Sequence, residues 1–135
     1  MVNLDIARTE SDFHQCRELL ERTNPGAPAP AFGSPGSVTF VIYDHERRDV
    51  VRGCIHADME PVVRAMAVDP DYRFQDASFT MLHQFMEAHL RVAGYRQVFH
   101  DVPMDKSRII RTLEKCGAAE VDVPGGDSIR MRKEL

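Results

Sequence analysis

The chain has no apolar run near the ~18 to 20 residues that a membrane-crossing helix needs. Its opening residues, MVNLDIARTE, are too polar for a secretory leader. These two absences predict no membrane association and a cytoplasmic location. Positive charge is also short: 17 Lys and Arg stand against 21 Asp and Glu, a formal net charge of −4, with no Lys/Arg-rich run. A chain without a basic field or track is a poor partner for nucleic acid, so that class is set aside. Cysteine is scarce as well. Cys16, Cys54 and Cys116 are odd in number, far apart and without CxxC spacing, which argues against a disulfide framework or a zinc site. Each is expected to be a small buried apolar residue. No internal repeat or linker interrupts the 135 residues, and 43% hydrophobic with 28% charged residues suits one soluble domain, 1–135, around one core.

What is present reads as alternating elements. NLDIA (3–7) is a short strand. ESDFHQCRELLERT (10–23) follows with Phe13, Cys16, Leu19 and Leu20 at helical spacing, capped by Thr9 or Ser11. Residues 24–37, NPGAPAPAFGSPGS, interleave four prolines with three glycines and form a long loop, a common setting for binding contacts. SVTFVIYD, the polar turn HERRD and VVRGCIHAD read as a β-hairpin over 38–57. After a turn at 58–61, PVVRAMAV (61–68) is a third strand of an antiparallel meander, stopped by Asp69-Pro70.

ASFTMLHQFMEAHLRVAG (77–94) sets Phe79, Leu82, Phe85, Met86, Leu90 and Ala93 on one helical face and stops at Gly94. His83, Glu87, His89 and Arg91 fall on its polar side, read as a solvated face. His83 and Glu87 have metal-ligand spacing, but two ligands do not make a specific site. Met66, Met81 and Met86 read as core filling. YRQVFHDV is a further strand. DKSRIIRTLEKCGA is a helix with Ile109, Ile110, Leu113 and Cys116 as its stripe and Gly117 as its stop, and AEVDV, the turn PGGD and SIRMRKEL form a closing hairpin. A strand–helix–strand unit after a meander implies a mixed sheet with helices packed on its faces, an α/β (α+β) fold.

The order of elements and the phrase MAVDPDYR resemble the GNAT superfamily of acyl-CoA-dependent N-acyltransferases, over most of the chain from Leu4 onward. In that family a Val-x-Pro-x-x-Arg strand end leads into an RxxGxG/A turn whose amides and following helix hold the CoA pyrophosphate. Val68, Pro70, Tyr72 and Arg73 match, and LEKCGAAEV (113–121) is similar to a second family phrase through Glu114, Lys115 and Gly117. The last helix also resembles compact GNAT-like proteins of bacteriophages, one of them an internal virion protein.

The resemblance implies acetyl-CoA as cofactor, held by Met66, Val68, Arg73, Phe74, Gln75, Asp76, Ala77, Ser78 and Lys106, and an amine, small molecule or protein, as acceptor. Physically, a helix start offers unpaired amides and about half a positive charge to a phosphate. Here Phe74, Asp76 and Ser78 replace the usual small residues: Phe74 adds bulk, and Asp76 could cap the helix and repel a pyrophosphate. Lys106 replaces a more usual Asn.

Acyl transfer to an amine needs a proton acceptor and donors for the oxyanion. The base candidates are Glu60, His100 and Asp101, the last two on opposite faces of a regular strand. The alternative for His100 is a strand-end histidine with one local hydrogen bond. His56 is a weaker candidate. Leu113 stands where many family members carry an acid tyrosine, and Tyr72 and Tyr95 have no motif that moves the role to them. Two readings follow. One is an N-acetyltransferase with the thioester in the splay between strands 62–68 and 97–101 and the loop 24–37 on the acceptor side. The other is a catalytically silent GNAT-fold structural or interaction protein, its partners phage or host proteins in a virion, or further copies of itself.

Overall fold

The computed structural model describes residues 3–26, 30–58, 60–121 and 128–135. The expected PGGD turn and part of the Pro-rich loop lie outside them. The elements run β1 (Asn3–Ile6), α1 (Glu10–Thr23), β2 (Ser37–Tyr43), β3 (Val51–Asp58), β4 (Val62–Val68), α2 (Gln75–Val92), β5 (Gln97–Pro103), α3 (Ser107–Lys115), β6 (Ala119–Val121) and β7 (Ser128–Glu134). The order matches the expected alternation.

All the strands join one sheet in the order β1-β2-β3-β4-β5-β7-β6. Its neighbours are antiparallel except β4 and β5, which run parallel. That parallel pair is short: Val62 faces Phe99 and Val63 faces His100, and the register ends there. The cause lies on the other edge of β4. His56 pairs with Ala65 but Ala57 pairs with Val63, so Arg64 is an extra residue, a β-bulge. A bulge bends its strand and increases the local twist, and β4 leaves β5 at that point. The sheet is thus split into a meander on one side and β5-β7-β6 on the other.

Each face has its own core. On one, α1 packs Cys16 and Leu19 against Val41, Cys54 and Ala67, with Phe32 of the Pro-rich loop closing over them. On the other, Leu82, Met86 and Leu90 of α2 meet Phe40, Ile42, Ile55 and Val98. Leu113 of α3 and Ala118 pack on Val102 and Met131. α1 starts at a capping box: Thr9 Oγ1 accepts from the Asp12 amide at 3.1 Å and Asp12 Oδ2 accepts from the Thr9 amide at 3.3 Å. Gly94 and Gly117, at φ +94° and +98°, supply the left-handed residue that ends α2 and α3.

Several expectations are corrected. Cys16 and Cys54 are buried, but Cys116 is exposed, because α3 ends before it and its position falls past the packed stripe. Ala93 is exposed, since α2 stops at Val92. The face read as solvated is so at Arg91, which is exposed, but not at Glu87, which is buried, with Lys133 of β7 donating to its two carboxylate oxygens at 3.0 and 2.9 Å. Pairing with a cation from a distant strand allows the carboxylate to sit inside. α2 begins at Gln75, two residues early, with Phe74 at the N-cap position and no side-chain cap, so Asp76 does not cap it.

Gly53 is where β3 comes closest to its neighbours. A Cβ there would meet Ile42 Cγ2 at 2.9 Å, Leu82 Cδ1 at 3.1 Å and the Ala67 carbonyl at 3.2 Å. Gly53→Ala is expected to cost about 1–3 kcal/mol from overpacking, read as a lowered midpoint in chemical denaturation. An unchanged midpoint would contradict this packing.

Candidate functional site: a cleft where the sheet divides

The split between β4 and β5 opens a cavity of about 1180 Å³. It reaches both faces of the sheet, since Arg17 and His56 line it on the α1 side and His83 and His100 on the α2 side. A ligand can therefore approach the division from either face.

At one end stands the turn after β4, held rigidly. Asp69 is buried; its carboxylate accepts from Arg52 at 2.8 Å, Arg22 at 2.9 Å and the Asp71 amide at 2.9 Å. Its amide donates to the Arg52 carbonyl and its carbonyl accepts from the Tyr72 amide. Asp44 clamps the same Arg52 from β2's end at 2.8 Å. Tyr72 is buried, its hydroxyl 3.4 Å from His45 Nδ1. Phe74 points its ring into this group, 5.0 Å from His45 and 5.4 Å from Tyr72 between centroids, with Arg73 stacked over it at 4.6 Å. The expected bulk of Phe74 is thus turned away from the cleft.

At the start of α2, the Gln75 amide donates to the Tyr72 carbonyl and that of Ser78 to Phe74. The amides of Asp76 and Ala77 are the donors this helix end offers to a ligand. Gln75 and Asp76 line the cleft, as do Met66, Val68 and Lys106, the last at the N-cap position of α3. Arg73, Phe74, Ala77 and Ser78 are not among its lining residues. Ser78 faces inward, its Oγ buried and unpartnered among the described residues.

The three base candidates separate. Glu60 is exposed, outside the cleft lining, and raises the pKa of Arg130 by its charge, behind the larger effect of Asp101. Asp101 lines the cleft but is fully engaged: Arg130 donates to it at 2.7 and 2.9 Å and Arg64 at 2.7 Å. Arg130 is the main reason its carboxyl is held below the usual carboxylate range. His100 lies on the opposite, buried side of β5, and its Nε2 is buried with no partner among the described residues. Burial first, then the neighbouring His83 and Lys133, pushes its pKa down to about 3. Its imidazole is therefore neutral at pH 7.

Sequence reasoning missed His83. Its ring stacks on that of His100, 5.5 Å between centroids at 29°, and its Nδ1 sits 2.9 Å from the Phe79 carbonyl. A carbonyl only accepts, so Nδ1 carries the proton and Nε2 is left with a lone pair. Burial lowers its pKa as well. On the other face His56 Nδ1 is 2.8 Å from Thr39 Oγ1 and its ring meets the edge of Phe32 at 5.0 Å. No signal in the sequence separates these histidines from surface ones, because their burial comes from residues far along the chain. Leu113 lines the cleft as a buried apolar side chain. Among the described residues no three His, Cys, Asp or Glu side chains are grouped to hold a metal ion, and no helix is long and apolar enough to cross a membrane.

No family model matches the sequence, and no curated protein matches it. Solved structures do. The ribosomal-protein-S18-alanine N-acetyltransferase of Escherichia coli superposes with a TM-score of 0.78 at 16% identity, over 99% of this chain and 94% of that one. An aminoglycoside 6'-N-acetyltransferase complexed with coenzyme A gives 0.74 at 15% identity, over 99% and 96%. A chain of the NatC complex bound to Gag peptide and CoA gives 0.79 at 13%, over 99% and 98%. The chain has the GNAT acyl-CoA N-acyltransferase fold.

Neutral buried histidines make the fold sensitive to acid. In the unfolded chain His100 takes up its proton near pH 6.5, whereas in the folded protein it resists until about 3. Its contribution is thus complete above pH 6.5 and is lost as the pH falls from there toward 3. His100→Leu is expected to flatten the loss of stability below pH 6.5 by up to about 1.4 kcal/mol per pH unit. Denaturant titrations at pH 7.5, 6 and 5 would measure it, and parallel pH slopes for both proteins would refute it.

Proposed function

We propose that this protein is an acyl-CoA-dependent N-acyltransferase. The observation that carries the reading is a cleft open to both faces of the sheet and ending at an uncapped helix start. Such a cleft suits two substrates that meet from opposite sides. The pyrophosphate would lie on the Asp76 and Ala77 amides, with Lys106 across from them. The edge of β4 from Ala65 to Val68, released from β5 beyond Val63, would pair with the amide groups of the pantetheine arm as an added strand does. The thioester then reaches the point of division, beside His100.

In the transfer the amine nitrogen attacks the thioester carbonyl carbon. The C–N bond forms, the C–S bond breaks, and the nitrogen's proton accompanies the sulfur as free CoA thiol. His100 binds protons too weakly to be a proton store, and Asp101 is held by two arginines, so the acceptor enters as a free amine. Leu113 has no proton to give the leaving thiolate, which leaves water to relay the nitrogen's proton to it. The acceptor side is walled by α1 and by Asn24, Gly26, Pro30, Ala31 and Ser34 of the Pro-rich loop.

The same Leu113 favours a second reading, a GNAT-fold protein without turnover that serves as a structural or interaction subunit, with the loop and β7 as contact surfaces. Acetylation of any amine in a broad acceptor panel would remove that reading.

Calorimetry with acetyl-CoA tests the first. Micromolar binding is expected. Asp76→Asn should tighten it about 2- to 5-fold by removing a like charge at the helix start, and Lys106→Ala should weaken it by a similar factor. No heat at millimolar acetyl-CoA from wild type or Asp76→Asn would overturn it.

A further inference from the structure

The far end of the cleft, at the point where β4 and β5 part, has a floor of two imidazoles. His100 stands opposite Val63, the last residue of β4 in register with β5. It is 3% exposed, and its Nε2 has no protein partner among the described residues. His83 stacks on it from α2, and the bond from its Nδ1 to the Phe79 carbonyl fixes its ring and leaves Nε2 unprotonated. Both line the cavity. Apolar side chains lie beside them in the lining: Val63, paired with His100, and Phe79, whose ring is 4.5 Å from that of His83.

A buried polar atom without a partner is a cost the fold carries unless a ligand supplies the missing bond. A site built this way discriminates strongly against an analogue that lacks the matching group. The position matters as much as the chemistry. In a chain of CoA laid from the start of α2 along β4, the acyl group is what arrives last, at the division of the sheet.

Resting on the N-acyltransferase reading, we infer that the acyl pocket has a polar floor and that the preferred donor is a short acyl-CoA carrying a hydroxyl that meets His100 and His83. A hydroxyl serves both nitrogens' needs, since it donates and accepts. A carboxylate is a poorer fit. Lys133, whose charge acts on both rings, is already committed to both oxygens of Glu87, so it is not free to pair with a buried negative charge.

The test compares free CoA, butyryl-CoA and the two enantiomers of 3-hydroxybutyryl-CoA, esters that differ by one hydroxyl, by calorimetry on the intact protein. One enantiomer is expected to bind about tenfold or more tightly than butyryl-CoA. His100→Leu should bring the two within about twofold by weakening the hydroxyacyl ester far more than butyryl-CoA, with thermal melting at pH 7.5 to confirm a folded variant. His83→Phe, which keeps a stacked ring and removes its nitrogens, should reduce the preference too and serves if His100→Leu does not fold. Binding of all the esters with equal affinity, or a preference for butyryl-CoA, would overturn this inference and leave the N-acyltransferase reading standing. No binding of free CoA or any ester would overturn both.

Discussion

One extra residue in β4 organises the molecule. Because Arg64 has no place in the β3–β4 ladder, β4 bends there, and its pairing with β5 ends after Val63. The candidate cleft follows from that divergence. The divergence frees a strand edge inside the protein, opens a passage between the two faces, and leaves His100 at the point where the strands part. Arg64 itself is used: its guanidinium spans the opening, donating to Asp58 on β3 and Asp101 on β5, both at 2.7 Å. The bulge that separates the strands thus supplies the charge that ties their far sides together.

The two walls of the cleft are kept apart by different means. The turn after β4 is held by ions, with Asp44 and Asp69 both on Arg52 and Arg22 adding a second hold on Asp69. The strand β5 is held by neighbours on the other side, through its full-length pairing with β7. Behind the histidine pair the Glu87–Lys133 bridge joins α2 to β7, across the parting of the sheet. A cleft whose sides are separately anchored does not need its ligand to hold it open.

The elements were legible because their signals are local. The run of β-branched and aromatic residues in 38–43, the helical spacing of Leu82, Met86 and Leu90, and the glycines at 94 and 117 each act within a few residues of themselves. The phrase VDPDYR was legible as a turn, although its sequence did not reveal that Asp69 is its anchor: the two arginines that hold it come from α1 and β3. Phe74 and Asp76 were misread for the same reason. The ring's partner, His45, lies in another hairpin, and the first helical residue is fixed by backbone bonds that no side-chain preference announces.

The order of strands and helices, the Thr9 cap of α1 and the glycine stops of α2 and α3 could be read from short stretches, since each rests on propensities and periodicities that a few residues carry alone. Which polar residues lie inside depends on contacts between distant parts of the chain. Glu87 reads as a surface residue on its own helix and becomes buried because Lys133, 46 positions later, meets it. His83 and His100 are 17 positions apart on different elements, and their stacking, their loss of charge and the nitrogen at the cleft floor without a partner among the described residues exist only once α2 lies against β5. Burial is a property of what packs around a group, and for these residues that surrounding comes from distant parts of the chain.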